Sequence, residues 1–155
     1  MNTLLRNILN DIRVELTDEF DKNFARRAFF KKRWPERRFP NRGTLMVATG
    51  RLRRSIRSRV TADSVVFTSS EPYAAIHNDG GTIRVTAKMK RFFWARYKQT
   101  KNEMYKGLAL KKVGSEITIP QRQFIGDSPE VKAAVERIAK RNVHEYVSQM
   151  LQKRR

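Results

Sequence analysis

Leu5, Ile8, Ile12, Leu16, Phe20 and Phe24 recur every three or four positions near the amino terminus. That spacing predicts a helix over residues 3–30 with one apolar stripe, which another element has to cover. A second stripe, on Val131, Val135, Ile138, Asn142, Tyr146 and Met150, predicts a helix at the other end. Asp127 or Ser128 suits its N-cap, Pro129 its first turn, and Glu130 a capping box with Asp127. The terminal QKRR suits the negative end of the same helix.

Between the helices the period changes. KKRWPERRFPNRG (residues 31–43) is a basic loop punctuated by two prolines and a glycine, with Trp34 as its packing anchor. TLMVATGRLRRSI follows, and a turn of helix starting near Thr49 puts Leu52 and Ile56 on one side. A hairpin then joins a strand ending near Val60 to VVFT through Ala62-Asp63-Ser64. Tyr73, Ile76 and His77 have helical spacing, which Asn78-Asp79-Gly80-Gly81 must stop, because glycine enters left-handed conformations cheaply. TIRVT alternates as a strand. Residues 87–105 read as a helix with an aromatic face, followed by a mobile region through Lys112, and Gly114–Ile119 reads as a short strand. The order predicts one α+β domain over residues 1–155. In it a small antiparallel sheet packs on long terminal helices, and residues 87–112 form a basic aromatic insertion.

Charge limits the partners. Lys and Arg total 34 against 15 Asp and Glu, a net +19, far above the roughly 2–8 that suits a small domain. Such a surface attracts nucleic acid, an acidic protein face or anionic lipid. Arg37, Arg38, Arg51, Arg53, Arg54, Arg57, Lys88, Lys90 and Arg91 are the candidate anion or partner contacts. MKRFFWARYK mixes cations with aromatics, which fits either a single-strand-binding surface or an amphipathic helix seated in a protein groove. Protein packing is the reading favoured here.

Catalysis finds little support. The chain has no cysteine and two histidines, which removes thiolate chemistry and makes a protein-built zinc site unusual. His77 and Asp79 are two positions apart, a spacing that does not bring side chains together on a helix. NDGGTI has neither the P-loop nor the dinucleotide-binding spacing. No enzyme, cofactor or metal is expected. Nor is a signal peptide or a membrane span.

Four landmarks, in order, resemble the phage virion morphogenesis family, the tail-completion or head-tail joining proteins of Mu-like phages and prophages. They are ELTDEFDKNFARRAF; TLMVATGRLRRSI, with Leu45, Thr49, Gly50, Leu52, Ser55 and Ile56; PYAAIHNDGG, with Tyr73, Ala74, Ile76, His77, Gly80 and Gly81; and IPQRQFIGDS, with Ile119, Pro120, Arg122, Phe124, Gly126 and Ser128. The chain departs from the family pattern in having Arg-Gln-Phe where Arg-Pro-Phe is common, and Asn-Asp after the histidine. The resemblance implies a structural protein that oligomerises, often as a hexameric ring, and docks on tail or connector proteins. It implies assembly in the host bacterial cytoplasm and a place in the virion. It assigns these landmark residues to structural turns or subunit contacts. Non-specific nucleic-acid binding is the alternative.

Overall fold

The computed structural model describes residues 3–38 and 43–153. The predicted Pro40 break, the Arg42 cation and the last two arginines of QKRR lie outside the described residues.

Helix α1 (Thr3–Arg26) buries Leu9, Ile12, Leu16, Phe20, Asn23 and Phe24 along one side. It stops four residues before the predicted end. Arg27 takes a left-handed φ of 54°, and the chain doubles back as a short hairpin, β1 (Ala28–Phe29) with β2 (Lys32–Arg33). The reversal folds Phe29 and Phe30 around Phe20, at ring-centroid distances of 6.1 and 6.4 Å, where a continued helix would carry them away. Phe30 is itself left-handed, and its amide donates to the buried Asn23 Oδ1 at 3.0 Å.

The second predicted helix is shorter than expected. Helix α2 (Arg51–Arg54) ends as Ser55 turns its amide and hydroxyl onto the Leu52 carbonyl. Ile56 therefore opens strand β3 (Ile56–Val60) instead of sharing a helix face with Leu52. Strand β3 pairs antiparallel with β4 (Val65–Ser69), Val60 opposite Val65, in line with the predicted hairpin, and the ladder lies against α1. Helix α3 (Ala74–Asp79) leads into β5 (Gly81–Arg84), which pairs antiparallel with β6 (Glu116–Ile119). Among the described residues the sheet component is thus three two-stranded antiparallel ladders.

Between β5 and β6 the chain forms two helices, α4 (Ala87–Thr100) and α5 (Glu103–Ala109). The Asn102 side chain accepts the Met104 amide at 2.9 Å and starts α5 inside the single helix predicted over 87–105; α5 then runs on to Ala109, into the stretch predicted to be mobile. The two helices pack mainly on each other, and α4 buries none of its residues.

Helix α6 (Pro129–Gln152) closes the fold antiparallel to α1, tied by Arg137–Glu15 and Arg141–Asp11 ion pairs. Ser128 is its N-cap and accepts the Val131 amide at 3.2 Å. That register leaves no capping box for Asp127 and Glu130; Asp127 instead faces Lys132 at 3.4 Å.

Among the described residues two apolar clusters form the interior. One gathers Phe24, Trp34, Leu45, Leu52, Ala74 and Phe124; the other gathers Ile12, Leu16, Phe20, Phe29 and Ile138. Ile125 packs against both.

Candidate functional site

Three segments far apart in sequence line one open cleft of about 480 Å³. Leu45, Gly50 and Leu52 come from the turn into α2, Tyr73 and His77 from α3, and Ile119, Pro120 and Arg122 from the end of β6 onward. Met46 and Met104 add flexible apolar wall, and Glu36, Arg37, Arg38 and Arg51 lie on the lining. Three of the four predicted landmarks thus contribute residues to one cleft; the first, on α1, does not line it.

What brings them together is mostly backbone. The Arg122 amide donates to the His77 carbonyl at 2.8 Å. The next residue of α3, Asn78, accepts the amides of Phe124 and Ile125 on one side-chain oxygen, at 2.9 and 3.1 Å. The Asn-Asp pair that departs from the family pattern thus supplies a brace, a role the sequence reading did not give it. Gly80 has φ +73°, and a Cβ there would lie 2.8 Å from the Gln121 backbone nitrogen. Only glycine allows the two chains to run this close. Gly81 pairs with Ile119, and a Cβ on it would meet Ile76 at 2.9 Å.

Arg122 is 8% exposed. Its Nε donates to the Pro35 carbonyl at 2.9 Å and its Nη2 to the Glu36 carbonyl at 3.2 Å. Burial, with the nearby Arg37 charge, pushes its pKa down, yet an arginine so placed stays protonated at neutral pH. Beneath it, Trp34 fills the anchor position predicted for it. Its indole donates to the Gln123 carbonyl at 2.6 Å and its ring meets Phe24 edge-on at 5.6 Å. Phe124 is fully buried, and its carbonyl accepts from Asn23. Gly126 has φ +131°, and a Cβ there would meet the end of the Gln123 side chain.

His77 holds the one buried side-chain polar atom without a hydrogen-bond partner among the described residues, its Nδ1. Tyr73 meets the ring edge-on at 6.0 Å. Desolvation, then the Arg122 charge, lowers the His77 pKa, so the imidazole is neutral at pH 7. Desolvation and the hydrogen bond to Glu71 raise that of the Tyr73 phenol. Asp79 accepts from Asn78 at 2.9 Å. Among the described residues no hydrogen bond joins His77 to a carboxylate or hydroxyl.

The candidate cations divide by location. Arg53 clamps Asp21 with Nε and Nη2 at 2.6 and 2.5 Å, and that contact lowers the Asp21 pKa. Arg51 pairs with Glu71 at 3.2 Å. Arg54 donates to the Thr49 carbonyl, and Arg57 to the Arg54 and Ile56 carbonyls. Arg37 donates to the Gly43 carbonyl at the cleft. Lys88, Lys90 and Arg91 stand on α4. Over Ala87–Ala109 seven cations face a single acid, Glu103, which pairs with Lys106 and accepts the Tyr97 hydroxyl.

The family model for phage virion morphogenesis matches residues 6–144. No curated protein and no solved structure matches the chain. With the match covering most of its length, the chain belongs to the phage virion morphogenesis family, whose work is structural and concerns phage assembly.

Proposed function

We propose that this phage morphogenesis protein completes the tail and joins it to the head, acting by oligomerisation and docking without turnover. The observation that carries this reading is how the polar groups of the cleft are used. Arg122, Asn78 and the His77 carbonyl are spent on the protein's own backbone. They stiffen a recess with apolar walls and arginines at its edge, and they present no activated nucleophile. Such a recess suits a protruding apolar segment with acidic flanks from a neighbouring virion protein.

The test is complementation of a phage or prophage that lacks this protein, with particles viewed by electron microscopy. Met46→Glu together with Met104→Glu closes the recess to an apolar segment without placing a charge in the core. Unjoined heads and tails are the expected result. Normal particles from a folded double variant would overturn the cleft as a docking site, and normal particles without the protein would overturn the assembly role.

A second reading rests on the α4–α5 arm. Its cations outnumber its acids and it projects little packing toward the body, so it suits the backbone of nucleic acid. Binding there weakens steeply with salt.

A further inference from the structure

The apolar side of α6 changes direction along its length. Val131, Val135, Ile138 and Asn142 lie on the side that packs on α1. At ~100° per residue that side continues through Glu145, Gln149 and Gln152, all polar. The apolar residues that follow, Val143, Tyr146, Val147, Met150 and Leu151, centre roughly 120° away from it. They are 45, 40, 49, 45 and 62% exposed. The end of α6 is therefore exposed on its polar and its apolar sides alike, and its apolar side stands open to solvent. A surface helix ordinarily turns such a side onto a packing partner. Apart from Val143, the stripe lies beyond the residues matched by the family, so it belongs to this chain's own sequence.

The same chain carries a hollow of matching character. A groove of about 500 Å³ runs between α1, β4 and the start of α6, walled by Leu9, Ile12, Phe67, Ile125, Val131 and Val135. The stripe cannot fill its own groove. Both lie on one continuous helix, with centres about 20 Å apart at 1.5 Å per residue, and α6 would have to break to bring them together.

We propose that the C-terminal stripe of α6 docks in the α1–β4–α6 groove of a second copy of this chain. The proposal rests on the assembly reading above and supplies its contact. Three observations favour a second copy over a foreign partner. Knob and hollow are both present on one chain. The five stripe residues themselves carry no charge, so the stripe brings no cation of its own against a second copy of a chain of net charge +19. The stripe exposes on the order of 450 Å², about half the roughly 800 Å² per partner of a standard stable interface. One such contact is weak, and closing a ring of them multiplies it. Because knob and hollow are different surfaces, the contact is head-to-tail, the kind that generates rings or open filaments instead of a closed pair.

The native chain has no cysteine, which makes disulfide trapping specific. Val147→Cys and Val65→Cys variants of the full chain are purified separately, then oxidised alone and mixed. Val65 lines the groove on β4, and Val135→Cys is a second groove reporter should Val65→Cys disturb its strand. The expected result is cross-linking in the mixture only. Val147→Glu should raise the concentration at which assemblies form at least tenfold while leaving the circular dichroism unchanged. A disulfide in Val147→Cys alone would mean two-fold pairing and would overturn the proposal. So would the absence of any cross-link, whether the chain is assembled or monomeric by light scattering. Intact particles in complementation with Val147→Glu would show that the assembly role survives while this contact fails.

Discussion

The side-chain oxygen of Asn78 accepts the backbone amide of Phe124 at 2.9 Å across 46 positions of sequence. The same oxygen takes the Ile125 amide, so one atom fixes the segment that carries Phe124 into the core. Asn78→Leu removes the acceptor and leaves two amides short of a partner, at a cost of about 2–4 kcal/mol. Asn78→Asp keeps the oxygen and should lose less than half of that. Urea denaturation of both variants checks the pair, and equal losses would show that the oxygen is not the brace.

Gly80 and Gly114 separate strain from contact. Both have positive φ, +73° and +87°, but only a Cβ at Gly80 meets backbone. Gly114→Ala should cost about 1 kcal/mol from conformation alone. Gly80→Val should cost at least ~3 kcal/mol, because the Gln121 backbone must move as well. A folded, stable Gly80→Val chain that assembles normally would sink the close-approach argument.

The lowered pKa of His77 has a definite sign in stability. The folded chain resists protonating the ring, so below the ordinary histidine value of about 6.5 the unfolded chain binds more protons. The neutral ring is accommodated in full above that value, and stability falls as pH drops through the lower folded pKa. His77→Gln should flatten thermal midpoints between pH 7 and pH 5 relative to the native chain. Arg122→Met removes the second cause of the shift, and NMR titration should find the His77 pKa raised. Parallel pH profiles for native and His77→Gln chains would contradict this.

Ser128→Ala tests the cap of α6. Loss of its bond to the Val131 amide should cost about 1 kcal/mol, whereas Asp127→Ala should stay within ~0.5 kcal/mol. Thermal melts rank the two, and the opposite order would restore Asp127 as the cap.

Trimming the arm asks whether it stands apart from the body. A short turn joining Thr86 to Val113 removes α4 and α5 but keeps the Val85–Ser115 and Gly114–Val85 backbone bonds. The thermal midpoint should fall by no more than ~5 °C. Affinity for duplex DNA in a gel-shift series should lose most of its salt dependence. Unchanged salt dependence would remove the arm from any nucleic-acid contact.

The elements set by periodic apolar residues were legible in the sequence. The core of α1 and the stripe of α6 through Asn142 follow from repeating patterns with a buried side, and the β3–β4 hairpin follows from β-branched residues on either side of the Ala62-Asp63-Ser64 turn. The misses fall where one residue overrides a pattern. Arg27 and Phe30 take left-handed conformations without glycine to announce them. Ser55 ends α2 with its own hydroxyl, and Asn102 starts α5 with its side chain. Gly50 and Arg122, read from the sequence as turn or contact residues, line the cleft, but the cleft itself and the bracing by Asn78 could not be read, because the partners of Asn78 lie 46 and 47 positions away. Tyr146 and Met150 were placed on one stripe with Val131 through Asn142, yet that end of the helix is exposed, since a periodic pattern does not say what covers it.

The pairing of β5 with β6 also has a consequence for the order in which the chain finds its structure. Arg84 meets Glu116 only after the whole arm between them has been bridged, and closing a long flexible loop slows such a search. The arm is itself a pair of adjacent helices packed on each other, which form on a much faster clock than a long-range ladder. Once formed, it carries its two ends back side by side, and a distant encounter becomes a local one. Gly107 sits inside α5 with open space around it. Gly107→Ala, by firming that helix, should therefore speed refolding in stopped-flow while leaving the unfolding rate nearly untouched.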